Sequence, residues 1–262
     1  MNTTMKIGAS TCYGVINKPV IESVNELEKA GFDAIEISYE YNNILTAEEV
    51  KILKSRNLDF SMHCPYIGVM FTHLNSSFSA PQIKLIEKSL KAATDIGCSH
   101  YVIHGGLIPR FYTMIENKKS IDFFIRLFAQ RFRKIFKKYS KNGLKIVVEN
   151  LHGSNIGSRA SDIIKIQELI PEAGFCFDIA HGVITDQINE LMEKMNVDYV
   201  HIHDNNLSID EHKVIGEGKI NFEKILSKLK NKGFDGKLII ENTSYGDTKE
   251  SLKNLSILLK TL

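Results

Sequence analysis

The run VHIHDNNLSIDEHKVIGEG, from Val200 to Gly218, packs His201, His203, Asp204, Asp210 and His212 into a dozen residues. It opens as a β-branched apolar strand into which His201 and His203 are set two apart, so both project from one face. Asp204 follows, and then a polar loop with Asp210 and His212. A strand end and its loop supply only a sector of a coordination sphere for a hard or borderline divalent ion. The remaining donors must come from other strand ends, and that requirement directs the reading of the whole chain.

Outward from this run, short β-branched segments alternate with amphipathic ones, the pattern of repeated βα units on a parallel sheet. Strands are expected at Met5–Thr11, Ala34–Ser38, Leu58–His63, from Tyr101, from Leu144, at Gly174–Asp178, at Asp198–Asp204 and from Lys237. Helices are expected at Pro19–Ala30, from the N-cap Thr46 to Arg56, and at Pro81–Ile96. Others are expected at Ser120–Tyr139, from the N-cap Ser161 to Ile170, and at Gln187–Met195, Asn221–Lys232 and Thr248–Leu259. Gly31, Gly97, Gly143, Gly174 and Gly233 punctuate the returns to the sheet. Eight units in about 250 residues predict a (β/α)8 TIM barrel, read as one domain over residues 1–262. The runner-up, a doubly wound open sheet, lacks its signature, because the first strand leads into GASTCYG and not a GxGxxG turn.

Bulk properties agree with a globular chain of 262 residues, 43% hydrophobic and 24% charged. The net charge of +2, from 33 basic and 31 acidic residues, signals neither a nucleic-acid nor a membrane partner. One basic run, Arg126 to Lys138, is interleaved with Ile125, Phe128, Phe132 and Phe136 at helical spacing and reads as the solvated face of an outer helix. Four cysteines without CxxC pairing argue against a disulfide framework or a sulfur-ligated zinc. The absence of an apolar leader or spanning segment makes a cytoplasmic location the expectation. No surface stripe singles out a partner chain, although outer helices of barrels make a homodimer possible.

In a barrel the C-terminal strand ends share one mouth. At those ends stand His63, His104, Glu149, Asp178 with His181 three residues on, His201 and Glu241, and the loop after the seventh strand adds Asp210 and His212. Glu149, Asp178 and Glu241 close almost wholly apolar strands, where an isolated buried charge costs several kcal/mol. The neighbouring ends of strands three to eight offer no Lys or Arg to neutralise them. Histidines and carboxylates without cysteine select zinc, manganese, iron or magnesium over an all-sulfur site, and a divalent metal (zinc, manganese, magnesium or cobalt) is the expected cofactor. His203 is read as a substrate or supporting contact, Tyr66, Arg110 and Tyr112 as loop residues that shape the pocket, and Lys118 or Lys119 as the contact for a substrate phosphate.

The motifs MHCPY at His63, VIHGG at His104, VVEN at Glu149, FDIAH, HIHDN, DEH, GEGKINF and LIIEN resemble those of the xylose-isomerase-like superfamily of TIM barrels. That superfamily includes sugar-phosphate isomerases and epimerases and the endonuclease IV family of apurinic-site nucleases. The resemblance spans essentially the whole chain. It implies, in the epimerase-like members, one metal on Glu149, Asp178, His201 and Glu241, with Glu149 and Glu241 as acid and base and His181 holding a substrate oxygen. In the nuclease-like members it implies three zinc ions, the second on His63, His104 and Glu149 and the third on His181, Asp210 and His212. Where the nucleases carry His-Pro-Gly after the fourth strand, this chain reads His104-Gly105-Gly106. The expected activity is a metal-dependent isomerase or epimerase of a keto sugar or sugar phosphate. The alternative is an apurinic/apyrimidinic-site phosphodiesterase acting on DNA.

Overall fold

The computed structural model describes residues 5–109 and 118–262, and within them the side chains of residues 42, 118 and 119 are left aside. Eight parallel strands close into a barrel in sequence order: β1 (Lys6–Ser10), β2 (Ala34–Ser38), β3 (Asp59–His63), β4 (His100–Ile103), β5 (Lys145–Glu149), β6 (Gly174–Asp178), β7 (Tyr199–Ile202) and β8 (Lys237–Ile240). The closing pair, β1 with β8, is in register at Lys6 with Lys237 and Ala9 with Ile240. The chain is therefore the expected (β/α)8 barrel.

Side-chain alternation splits each strand between two environments. Outward residues such as Ile35, Ile37, Ile146 and Val148 join the main core beneath the helices. Inward, Val102, Val147, Cys176, Tyr199 and Ile239 form a separate apolar plug inside the barrel. Two residues further along the same inward faces come His104, Glu149, Asp178, His201 and Glu241, so the plug is the floor on which the ligand candidates stand.

The helices are α1 (Val20–Lys29), α2 (Ala47–Lys54), α3 (Ser76–Ile96), α4 (Lys118–Ser140), α5 (Ala160–Leu169), α6 (Ile179–Ile184), α7 (Ile188–Lys194), α8 (Phe222–Asn231) and α9 (Tyr245–Thr261). On α4, Phe124, Phe128, Phe132 and Phe136 recur every fourth residue and are fully buried, while Arg126, Arg133, Lys134, Lys137 and Lys138 face solvent. The basic run is thus the outer face of an amphipathic helix, as its spacing indicated, except for Arg131, which turns in to donate to the carbonyls of Phe71 and His73.

Several helix starts differ from expectation, among them that of α9, which lies at Tyr245 behind the Ser244 cap and not at Thr248. Helix α3 begins five residues before Pro81, because the Asn75 side chain accepts the Ser77 amide and caps the earlier start. Arg159, not Ser161, stands at the head of α5. There Gln187 accepts the Ala160 amide and the Asp162 carboxylate takes the Gly157 amide, so no serine cap is needed. Between β6 and the expected helix at residue 187 lies the additional short α6, capped by Asp178, which accepts the His181 amide at 2.7 Å.

Candidate metal centre

The strand ends deliver their side chains to one cavity of about 690 Å3, lined by His63, His104, Glu149, His181, Asp210, His212 and Glu241 among others. Asp178 and His201 lie beneath it, fully buried and side by side in the register of β6 with β7. All nine predicted ligand positions therefore converge. Tyr66 also lines the cavity, its ring 5.2 Å from that of His63 and 5.4 Å from that of His104. Arg110 and Tyr112 fall outside the described residues.

Hydrogen bonding shows how the imidazoles are aimed. Nδ1 of His63, His181 and His212 lies 2.8, 3.0 and 2.7 Å from the backbone carbonyls of Cys64, Asn150 and Glu241. A carbonyl can only accept, so each Nδ1 carries the proton and each Nε2 is turned to the cavity. His201 is reversed. Its Nε2 lies 3.1 Å from Glu36 Oε2, which leaves Nδ1 facing Glu149 Oε2 at 3.6 Å and Glu241 Oε2 at 3.7 Å. Ring orientation by a carbonyl or carboxylate behind the imidazole is the arrangement that supports metal-ligating histidines.

The nitrogens and oxygens fall into three neighbouring groups. Glu149 Oε2 has His63 Nε2 at 3.3 Å and His104 Nε2 at 3.2 Å. His201 Nδ1 faces Glu149 and Glu241, while Asp178, beside His201 in the strand register, turns its Oδ2 toward His203 Nε2 at 3.4 Å and His181 Nδ1 at 3.6 Å. Asp210 Oδ2 has His181 Nε2 at 3.3 Å and His212 Nε2 at 3.1 Å. Two donors sharing a tetrahedral ion at about 2.0–2.1 Å are about 3.3 Å apart, so these separations match donor sets as well as hydrogen bonds. Several buried atoms decide between the two. Asp178 Oδ2, His201 Nδ1 and Asp210 Oδ1 have no hydrogen-bond partner among the described residues, and a buried polar atom without a partner costs about 1–3 kcal/mol. The donor set and its orphaned atoms fit divalent metal.

Electrostatics agree. Burial alone would raise Glu149, yet His104 and His201 hold it well below the usual carboxylate range. Burial likewise opposes charge on His212, but Asp210 and Glu241 push it up to about 9. Glu241 is shifted the other way. Burial, together with the neighbouring carboxylates of Glu36 and Glu149, raises it despite His201.

His203 does not line the cavity and lies behind two of the ligand candidates. It is fully buried, its Nε2 lies 3.4 Å from Asp178 Oδ2 and 3.5 Å from Asp210 Oδ1, and its ring stacks on His212 at 3.9 Å. The loop that carries Asp210 and His212 is tied down by Asp204. Its carboxylate accepts the amides of Asn205, Gly216, Gly218 and Ile220 at 2.8, 2.9, 2.9 and 3.2 Å. A Cβ on Gly218 would sit 2.2 Å from Asp204 Oδ1, so the GEG motif is glycine because the carboxylate occupies that space. Gly105 is similarly constrained. A side chain there would meet the Ile156 carbonyl at 2.6 Å, which leaves no room for the proline of the His-Pro-Gly pattern.

Sequence reading missed Glu36, His152 and the role of Asp204. For Glu36 the signal was present: a carboxylate between isoleucines in AIEIS, on the inward face. His152 carries no such mark in a polar loop.

Comparison with known proteins places this arrangement. The uncharacterized protein MJ1311 of Methanocaldococcus jannaschii is 28% identical over 95% of this chain and 88% of its own length. A solved D-tagatose 3-epimerase-like protein is 26% identical and superimposes with a TM-score of 0.87, covering 98% of both chains. A probable endonuclease 4 of Mycobacterium leprae is 27% identical over 71% of this chain and 74% of its own length. The family described as xylose isomerase-like TIM barrel matches residues 24–260, and the chain belongs to that family.

Proposed function

We propose that the protein is a divalent-metal-dependent isomerase or epimerase of a keto sugar. The observation that carries this reading is the cavity itself. It is of small-molecule size, has Glu149 and Glu241 facing His201 Nδ1 at its floor, and is lined among the described residues by no Lys or Arg. A phosphodiester substrate calls for cationic contacts along its backbone. The described rim instead exposes Tyr66, Ile67, Leu107, Leu207 and Ile209. The full-length likeness to a D-tagatose 3-epimerase-like protein supports the same class.

Glu149, Asp178, His201 and Glu241 would hold the central ion. When bound, it supplies Lewis-acid polarisation of the sugar carbonyl and stabilises enediolate charge. Glu149, at the end of β5, and Glu241, just beyond β8, flank the substrate carbon as a base and acid pair: the ionised one removes the proton beside the carbonyl, and the other, which must already carry a proton, returns it to the opposite face. No electrons are gained or lost, and the product is the epimer. Tyr66 lines the cavity where the sugar would sit.

The test is solvent exchange. Incubating the metal-loaded protein with a panel of ketohexoses and ketopentoses in deuterium oxide should incorporate deuterium at the carbon next to the carbonyl. Glu241→Gln should lower that exchange by about 10²–10⁴-fold. No incorporation with any of the sugars would sink the proposal.

A second reading is kept because the His63–His104–Glu149 and His181–Asp210–His212 groups are both complete, the set the trinuclear nucleases use. An abasic-site DNA duplex nicked at physiological salt by the same preparation would replace the first reading with the second.

A further inference from the structure

Asp210 Oδ2 is the hub of more than the two histidines expected there. Nε2 of His212, His181 and His152 lies 3.1, 3.3 and 3.7 Å away. His152 arrives from a different element, the loop after β5, three residues beyond Glu149. Its ring packs beside that of His181 with centroids 4.9 Å apart. Ligand atoms of His152, His181 and Asp210 all lie within 4.8 Å of one another.

Exposure places the four donors. The His152 side chain is 40% exposed, against 26% for His212, 18% for Asp210 and 9% for His181. His152 thus stands on the solvent side of the group, where water or substrate would reach an ion. Three protein donors leave a zinc-class ion an open position for chemistry, whereas four close the tetrahedron.

We propose that His152, His181, Asp210 and His212 form a closed four-ligand site for a zinc-class divalent ion, with His152 in the position a catalytic ion would leave open. The proposal rests on the divalent-metal reading above and deepens it. An ion so enclosed ties the loops after β5 and β7 to α6 and builds one wall of the cavity. It leaves the proton chemistry to the central group of Glu149, Asp178, His201 and Glu241.

The test uses cobalt(II), whose visible absorption reports coordination number, together with elemental counting of bound zinc and cobalt. His152→Ala, on an exposed loop, should weaken one ion by roughly 10–100-fold while leaving the others in place, the loss seen when the support of a metal ligand is removed. It should also lower the intensity of the four-coordinate cobalt bands. His152→Cys should restore binding and add a sulfur-to-cobalt charge-transfer band, which requires direct ligation. His152→Ala with unchanged affinity and spectrum, in a protein whose His212→Ala variant loses that ion, would overturn the proposal and leave the metal reading standing. A folded His152→Cys that binds the ion without the new band would also overturn it. A parent chain that takes up neither zinc nor cobalt would overturn both.

Discussion

The two ends of the barrel both bury ionisable groups, and they do so in opposite ways. At the N-terminal end, Lys237 Nζ lies 2.5 Å from Asp59 Oδ1 and 2.6 Å from Ser99 Oγ, and Lys6 Nζ adds a second cation at 3.5 Å from Asp59. His100 sits beside them, and burial with the nearby Lys237 pushes it down to about 4, so it is neutral. Each charge there has a partner of opposite sign within the chain. At the C-terminal end, carboxylates and imidazoles crowd without a single lysine or arginine lining the described cavity, and several buried atoms lack hydrogen bonds. Self-satisfied charge marks architecture, and charge completed only by something from outside marks a site.

That contrast can be broken. Glu36 is the link between the plug and the site, since it holds His201 by Nε2 and so presents Nδ1. Glu36→Leu should leave the fold intact and weaken the central metal by roughly 10–100-fold by isothermal titration, because the imidazole is then free to turn or change tautomer. Unchanged affinity would reduce Glu36 to a structural partner of Tyr199, whose hydroxyl it accepts at 2.9 Å.

The other end should respond in stability alone. Lys237→Ala strips Asp59 of its buried partner, but the Asp59 side chain is 33% exposed and keeps Lys6. The expected cost is therefore about 1–3 kcal/mol, below the range for a fully buried broken pair. Metal stoichiometry should be unchanged, and denaturant unfolding with metal counting checks both halves.

A smaller effect should appear with pH. His212 is raised to about 9 in the folded, metal-free chain, so that fold binds an extra proton between about 6.5 and about 9 relative to the unfolded chain. Its contribution to stability is complete below about 6.5 and is lost as pH rises through about 9. Metal must displace that proton, so affinity should rise over the same window. A metal affinity that is flat from pH 6.5 to 9 would show that His212 is not a ligand.

Much of the site was legible because barrel geometry converts a one-dimensional rule, the last inward residue of each strand, into a common centre. His63, Glu149, Asp178, His201 and Glu241 follow that rule, and Glu36 was missed because it sits in mid-strand, a step below the mouth. Helix starts were less legible. The head of α5 is satisfied by Gln187 from the segment after α6, a contact no local pattern contains.

The order of the eight strands, the closed parallel barrel and the histidine and carboxylate make-up of the cavity were determined by the sequence by itself, through hydrophobic period and strand-end residue types. Only the tertiary structure decided which nitrogen of each histidine faces the cavity, that His203 lies buried against Asp178 and Asp210, and that His152 crosses from another loop to Asp210. Those outcomes depend on carbonyls, carboxylates and loops that meet across dozens to more than a hundred residues of chain. A residue's type sets what it can donate, but its neighbours in space set where it does so.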